Sequence, residues 1–225
     1  TPGTRVEMAE LQGAVRHVDA QFGRLMQAVA DLGLDENTLV IFTSDHGIAM
    51  PRAKCTLYDP GIGVALLMRL PSRPGWNGGM RRAEIIPNID ILPTLLELSG
   101  IPLPPAVQGR SFAPLLDGGA YTPTAEIYPE TTYHGYYDPR RAVRTAGHKL
   151  IVNFSSAFAI QDPSQRWRPR ADIAGDQNPA MLYTPDIELY DLRADPAENR
   201  NLAGDPAWAA LQQDLLARLK RHMVE

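Results

Sequence analysis

The 225-residue sequence has one cysteine, Cys55, so it holds no internal disulfide framework, and the redox compartment stays open. No apolar run approaches the roughly 20 residues that a membrane-spanning helix needs. Basic charge is not in excess: 22 Lys and Arg stand against 26 Asp and Glu, a net charge of −4. Neutralising nucleic-acid phosphates calls for a clear basic surplus, so nucleic acid is not expected as the main partner. The start of the chain lacks a signal-peptide pattern. It also lacks an initiating Met, and the expectation is that these residues are a piece of something longer. Proline, by contrast, is plentiful at 20 of 225 residues. Such a content fits many ordered loops between short elements. The hydrophobic fraction of 44% and charged fraction of 21% are ordinary for a globular chain long enough to bury a core.

Leu11, Val15, Val18, Phe22, Leu25, Val29 and Leu32 recur at alternating steps of four and three, which predicts a helix with one core-facing stripe. Gly33 stands where a left-handed cap would end it. Leu39-Val40-Ile41-Phe42 is a continuous apolar run that suits a strand buried on both faces, as in a parallel sheet. Val64 to Leu70 is the next strand candidate, and Ile89 to Leu98 reads as a short helix ending at Gly100. Residues 101–124 read as an irregular Pro- and Gly-rich connection, and Ala125 to Tyr128 as one more short strand. Beyond about residue 140, Arg141 to Thr145, Lys149 to Phe154 and Ile187 to Leu192 read as antiparallel strands without long helices between them. Residues 155–185 form a long polar loop. Asp205 and Pro206 open a final helix with the stripe Trp208, Leu211, Leu215 and Leu219. The expected architecture is an α/β part over residues 1–130 and a smaller α+β part over residues 131–225, with an antiparallel sheet and a final helix.

Chemistry concentrates after the first strand, at Ser44-Asp45-His46-Gly47. In open α/β sheets ligands gather beyond the carboxyl ends of strands. Where the chain leaves the strand and loses its alternation, adjacent Asp and His side chains can both turn toward one cation. The Asp oxygen suits Ca²⁺ or Mg²⁺, and the His nitrogen would also suit Zn²⁺ or Mn²⁺. Lys54 follows eight residues after His46, in Lys54-Cys55-Thr56-Leu57-Tyr58-Asp59-Pro60-Gly61-Ile62. A lysine there can hold an anionic group or steady a departing oxygen.

Val40 to Ile62 resembles the second half of a sulfatase catalytic domain, of the alkaline-phosphatase-like superfamily. That family carries a strand, Ser-Asp-Asn-Gly or Ser-Asp-His-Gly, and a Lys before Thr-x-Tyr-acidic-x-Gly, matched here by Ser44, Asp45, His46, Gly47, Lys54, Thr56, Tyr58, Asp59 and Gly61. Asp90-Ile91-Leu92-Pro93-Thr94-Leu95-Leu96, Gly109-Arg110-Ser111, and Glu188-Leu189-Tyr190-Asp191-Leu192 with Asp195, Pro196, Glu198, Asn201 and Leu202 extend the likeness over nearly the whole chain. Within the family, the stretch from Gly47 to Pro60 is most similar to the heparan N-sulfatase (sulfamidase) branch. The resemblance implies that residues 1–130 are the C-terminal half of a mixed or parallel sheet sandwiched by helices. It implies that Asp45 and His46 ligate a divalent metal, usually calcium, and that Lys54 contacts the sulfuryl group and helps the leaving oxygen depart. It further implies a formylglycine nucleophile and the rest of the catalytic domain upstream of these residues, a sulfated sugar or small sulfate ester as substrate, and a periplasmic, secreted or lysosome-like location.

Two departures accompany it. Gly63 and Ala65 stand where the family often has Arg and Pro. The Cys/Ser-x-Pro-x-Arg nucleophile motif and the N-terminal pair of Asp ligands are absent, and Cys55 lies in the wrong context to serve. The expectation is that this segment alone is inactive and holds calcium weakly. His134, in the polar-aromatic stretch 132–137, is a candidate for substrate binding, since such loops border pockets and tyrosines stack on sugars. Arg166-Trp167-Arg168-Pro169-Arg170 is a candidate grip for a sulfated glycan, although a solvated loop is the simpler reading. Arg140, Arg141 and Arg144 read the same way, and His17, His148 and His222 read as structural. Two alternatives remain: a phosphodiesterase or phosphonate hydrolase of the same superfamily, and a non-catalytic glycan-binding module.

Overall fold

The computed structural model describes residues 2–50, 52–76, 78–134, 137–155 and 183–224, with side chains from residue 5 onward. The Arg166–Arg170 motif and most of the 155–185 loop lie outside the described residues.

Helix α1 spans Pro2–Asp31. Gly33, at φ +65, ends it as its position predicts, and the N–H groups of Gly33 and Leu34 return to the carbonyls of Ala30 and Val29. The stripe was expected in a core. Instead Val15, Val18, Leu25 and Leu32 are exposed, Leu32 at 72%. Phe22 meets Phe42 edge-to-face at 5.6 Å. A helical stripe is buried only where another element faces it, and among the described residues that facing surface is narrow.

Strands β1 (Val40–Thr43) and β2 (Leu66–Arg69) form an antiparallel ribbon, with Val40 opposite Arg69 and Thr43 opposite Leu66. The apolar run in β1 was read as a strand of a parallel sheet buried on both faces; its residues are only half-buried, because a two-stranded ribbon lacks the neighbours to cover them. Between the two strands runs a closed segment containing the short helix α2 (Asp59–Ile62). Helix α3 (Ile91–Leu98) and the short α4 (Ala113–Leu116) follow. Two distant motifs meet here. Asp90 Oδ1 accepts the Arg110 N–H at 2.9 Å, and Thr94 Oγ1 accepts the Phe112 N–H at 3.0 Å while donating to the Asp90 carbonyl.

The second sheet has five antiparallel strands: β3 (Glu126–Ile127), β4 (Glu130–Tyr133), β5 (Tyr137–Thr145), β6 (His148–Asn153) and β7 (Ile187–Asp191). β3 and β4 both pair with β5, and the order continues β5-β6-β7. Strand alternation sorts its side chains onto two faces. Val143, Leu150 and Leu189 share one face and are fully buried under Leu215 and Leu219 of helix α5 (Ala209–Val224). Each such leucine contributes about 1.5–3 kcal/mol by leaving water. Asp205 caps the turn into α5 through the Ala207 N–H at 2.9 Å, as predicted. The other face carries Ala142, Arg144, Lys149, Ile151, Glu188 and Tyr190. An antiparallel sheet commonly leaves its second face wet. Here Leu57, Tyr58 and Ile62 of the segment around α2 pack on it.

Candidate functional site

The site grows from the end of β1. Asp45 is exposed and His46 half-exposed, with His46 Nε2 3.5 Å from Asp45 Oδ2. His46 Nδ1 lies 2.8 Å from the Gly47 carbonyl, which can only accept. In the neutral ring the proton therefore sits on Nδ1, and Nε2 presents its lone pair beside the carboxylate. A backbone carbonyl holding the far ring nitrogen in this way is the usual support of a metal-ligating imidazole. Among the described residues no group of three or more metal-ligating side chains comes together.

The Gly47 N–H donates to the Gly61 carbonyl at 3.0 Å, and the Lys54 N–H to the Ile48 carbonyl at 3.0 Å. A Cβ on Gly47 would stand 1.9 Å from the Pro60 carbonyl oxygen. Only a residue without a Cβ fits here, because backbone packs on backbone. The half-buried Lys54 thus rides on a loop stitched to the Asp45-His46 turn. Arg52 and Cys55, on either side of it, have φ of +60 and +68. Left-handed backbone at non-glycine residues costs on the order of 1 kcal/mol each and persists where its surroundings hold it.

What holds the loop is the polar face of the five-stranded sheet. Lys149 is completely buried, with Nζ 2.6 Å from Asp59 Oδ1 and 2.7 Å from Glu198 Oε1. Glu198, also fully buried and at φ +55, accepts the Asp59 N–H at 2.6 Å. Arg144 grips Asp59 through two nitrogens, at 2.8 and 3.2 Å. The four charges cancel, which is the condition for burying them. Beside them the Tyr58 and Tyr190 hydroxyls donate to Glu188 Oε2 at 2.7 and 2.6 Å, and Asn153 donates to its other oxygen at 2.8 Å. Arg52 lies over the Tyr58 ring at 4.1 Å and donates to the Glu198 carbonyl.

Burial alone would raise the Asp59 carboxyl. The Arg144 hydrogen bonds and the Lys149 charge outweigh it and hold the group at about 2. Burial pushes Glu198 up, against the pull of Lys149. Burial and the Glu188 charge push both tyrosines up, Tyr58 to about 12.

Asp45 and His46 are therefore together, and the Lys54 backbone is tied to their turn. His134 is exposed in the β4–β5 hairpin. The segment's grip on β5 is at Arg144, near the strand's other end, about 20 Å of strand away. Among the described contacts none joins His134 to Asp45, His46 or Lys54. Arg144 and Lys149 were missed as supports of this loop: Arg144, inside the strand read over Arg141 to Thr145, was weighed as a glycan contact against a solvated side chain, and Lys149 was read only as the start of the next strand. The available signal was alternation, which sets both on the face of Ala142 and Ile151.

The family model described as Sulfatase matches residues 4–101. The human N-sulphoglucosamine sulphohydrolase is 31% identical over 98% of this chain, and human arylsulfatase A is 34% identical over 92%. The chain spans 48% and 41% of those relatives, about half their length or less. The solved structure of BT4656, in complex with its substrate D-glucosamine-2-N,6-O-disulfate, aligns with a TM-score of 0.71 at 24% identity, covering 92% of this chain and 38% of that one, and so shares its fold.

Proposed function

We propose, proceeding from a chain that belongs to the sulfatase family, that it forms the second half of an active site hydrolysing a sulfate ester or sulfamate on a sulfated sugar. The observation that carries this is the Asp45–His46 pair at the end of β1, with the imidazole Nδ1 2.8 Å from the Gly47 carbonyl and Nε2 3.5 Å from the Asp45 carboxylate. The two atoms fit one divalent cation, calcium being what the family resemblance implies, with further ligands from outside these residues. When bound, such a cation polarises the oxygens of the sulfuryl group. Lys54, on the loop tied to that turn, supplies positive charge to the sulfuryl oxygens and to the departing oxygen or nitrogen, where negative charge develops. The nucleophile, read as a formylglycine, lies outside this segment, because Cys55 is followed by Thr56, Leu57, Tyr58 and Asp59 rather than x-Pro-x-Arg. The sulfated-sugar substrate is supported by the similarity to N-sulphoglucosamine sulphohydrolase.

The test is hydrolysis of 4-nitrocatechol sulfate and of N-sulfoglucosamine by the intact polypeptide that carries these residues. Lys54→Ala should lower kcat by about 10²–10³-fold, and the 225-residue chain alone should show no turnover. Unchanged turnover in Lys54→Ala, or a preference for phosphonate esters over sulfates, would overturn the reading.

A further inference from the structure

We infer that the buried Lys149–Asp59–Glu198 cluster, with Arg144, is a positioning device through which the C-terminal sheet sets the loop bearing Lys54. The inference rests on the reading of Lys54 and Asp45-His46 as site residues, and it adds residues that never touch the reacting atoms.

Four observations converge. The cluster joins residues far apart in sequence: Asp59 on α2, Arg144 on β5, Lys149 on β6 and Glu198 after β7. Its contacts fall at the start of α2, where Glu198 takes the backbone N–H of Asp59 as well as pairing with Lys149. From α2 the restraint passes onward through the Gly61 carbonyl to the Gly47 N–H, one residue from His46. Among the described residues, the non-glycine left-handed ones lie on both sides of this one contact: Arg52 and Cys55 on the loop, Glu198 on the sheet side. A sheet face needs only apolar side chains to be covered, and Leu57 and Tyr58 already cover this one. A buried ionic cluster as a whole contributes little net stability against apolar residues of the same volume, although removing one partner alone is costly. What it adds is register: Asp59 can pair with Lys149 and Arg144 and donate its N–H to Glu198 in one placement of α2, whereas Leu57 could slide on its neighbours. Lys149 and Glu198 are thus positioning residues for Lys54 and for the Asp45-His46 turn.

The experiment follows amide hydrogen exchange in the full chain for Lys149→Met and for Glu198→Gln, which keeps the shape of Glu198 and removes its charge. Both should speed exchange across residues 52–61 at least tenfold beyond the rise that the change in global unfolding imposes on the amides of Leu150 and Leu189. Should Lys149→Met fail to fold, Glu198→Gln decides alone. Unchanged exchange in the loop overturns the inference, as does an equal rise in loop and sheet, the mark of a merely stabilising cluster. In the intact polypeptide, Glu198→Gln should lower kcat at least tenfold with KM within about twofold. A wild-type kcat in an enzyme that Lys54→Ala inactivates also overturns it. If Lys54→Ala itself leaves turnover unchanged, the fault lies with the site reading, and the exchange rates still decide whether the cluster sets the loop.

Discussion

The β1–β2 ribbon and the five-stranded sheet use the same antiparallel ladder and differ in what covers their faces. In the ribbon Leu67 is 60% exposed, and the helix beside it shows Val15, Leu25 and Leu32 to solvent. In the larger sheet Ala142, Val143, Leu150 and Leu189 are completely buried, under α5 on one side and the α2 segment on the other. The candidate site stands at the end of the less covered ribbon, yet the loop that carries Lys54 is anchored to the better covered sheet. The stable core and the candidate site therefore stand in different places, joined by one loop.

Four perturbations sharpen that contrast. Lys149→Met removes one partner from a buried ionic cluster and should cost about 3–5 kcal/mol in urea unfolding. A loss below 1 kcal/mol would mean the cluster is not closed in solution. Leu150→Ala, at the centre of the covered sheet, should cost about 2–5 kcal/mol by the same measurement. Asp59→Asn should cost about 2 kcal/mol near neutrality, the scale of charged hydrogen bonds. Its pH dependence follows from the sign of the shift. The folded Asp59 carboxyl is held at about 2, below its ordinary value of 3.8, so its stabilisation is complete above roughly pH 4. It is lost as pH falls toward 2, and the wild-type advantage over Asp59→Asn should shrink across that window. A difference that stays constant from pH 5 to 2 would contradict the pairing. Leu25→Ala on the exposed stripe of α1 should change stability by no more than about 0.5 kcal/mol. A loss approaching that of Leu150→Ala would show that α1 is covered in solution and would erase the contrast between the two regions.

Element positions were largely legible in the sequence because each rests on a local cause. The α1 stripe, its Gly33 cap, the Asp205-Pro206 start of the last helix and the strands near 40, 66, 141, 149 and 187 follow from periodicity and capping. β4 was not read, since Glu130-Thr131-Thr132-Tyr133 has no apolar alternation and takes its order from pairing with β5. In the site, Asp45, His46 and Lys54 were legible as residue types in a recognisable spacing. Glu198 was quoted only as part of a C-terminal motif, and its bond to Asp59 across 139 positions carries no local signal.

The sequence by itself determined which side chains could do chemistry and which segments would become helix or strand, because propensity, capping and periodicity act within a few residues. Only the tertiary structure decided how many faces would be covered and which charges would be buried. Lys149 reads as a solvent-facing strand lysine until β5, β7 and α2 close around it. Burying a charge depends on partners that the chain brings together from far apart, and no local pattern encodes their meeting.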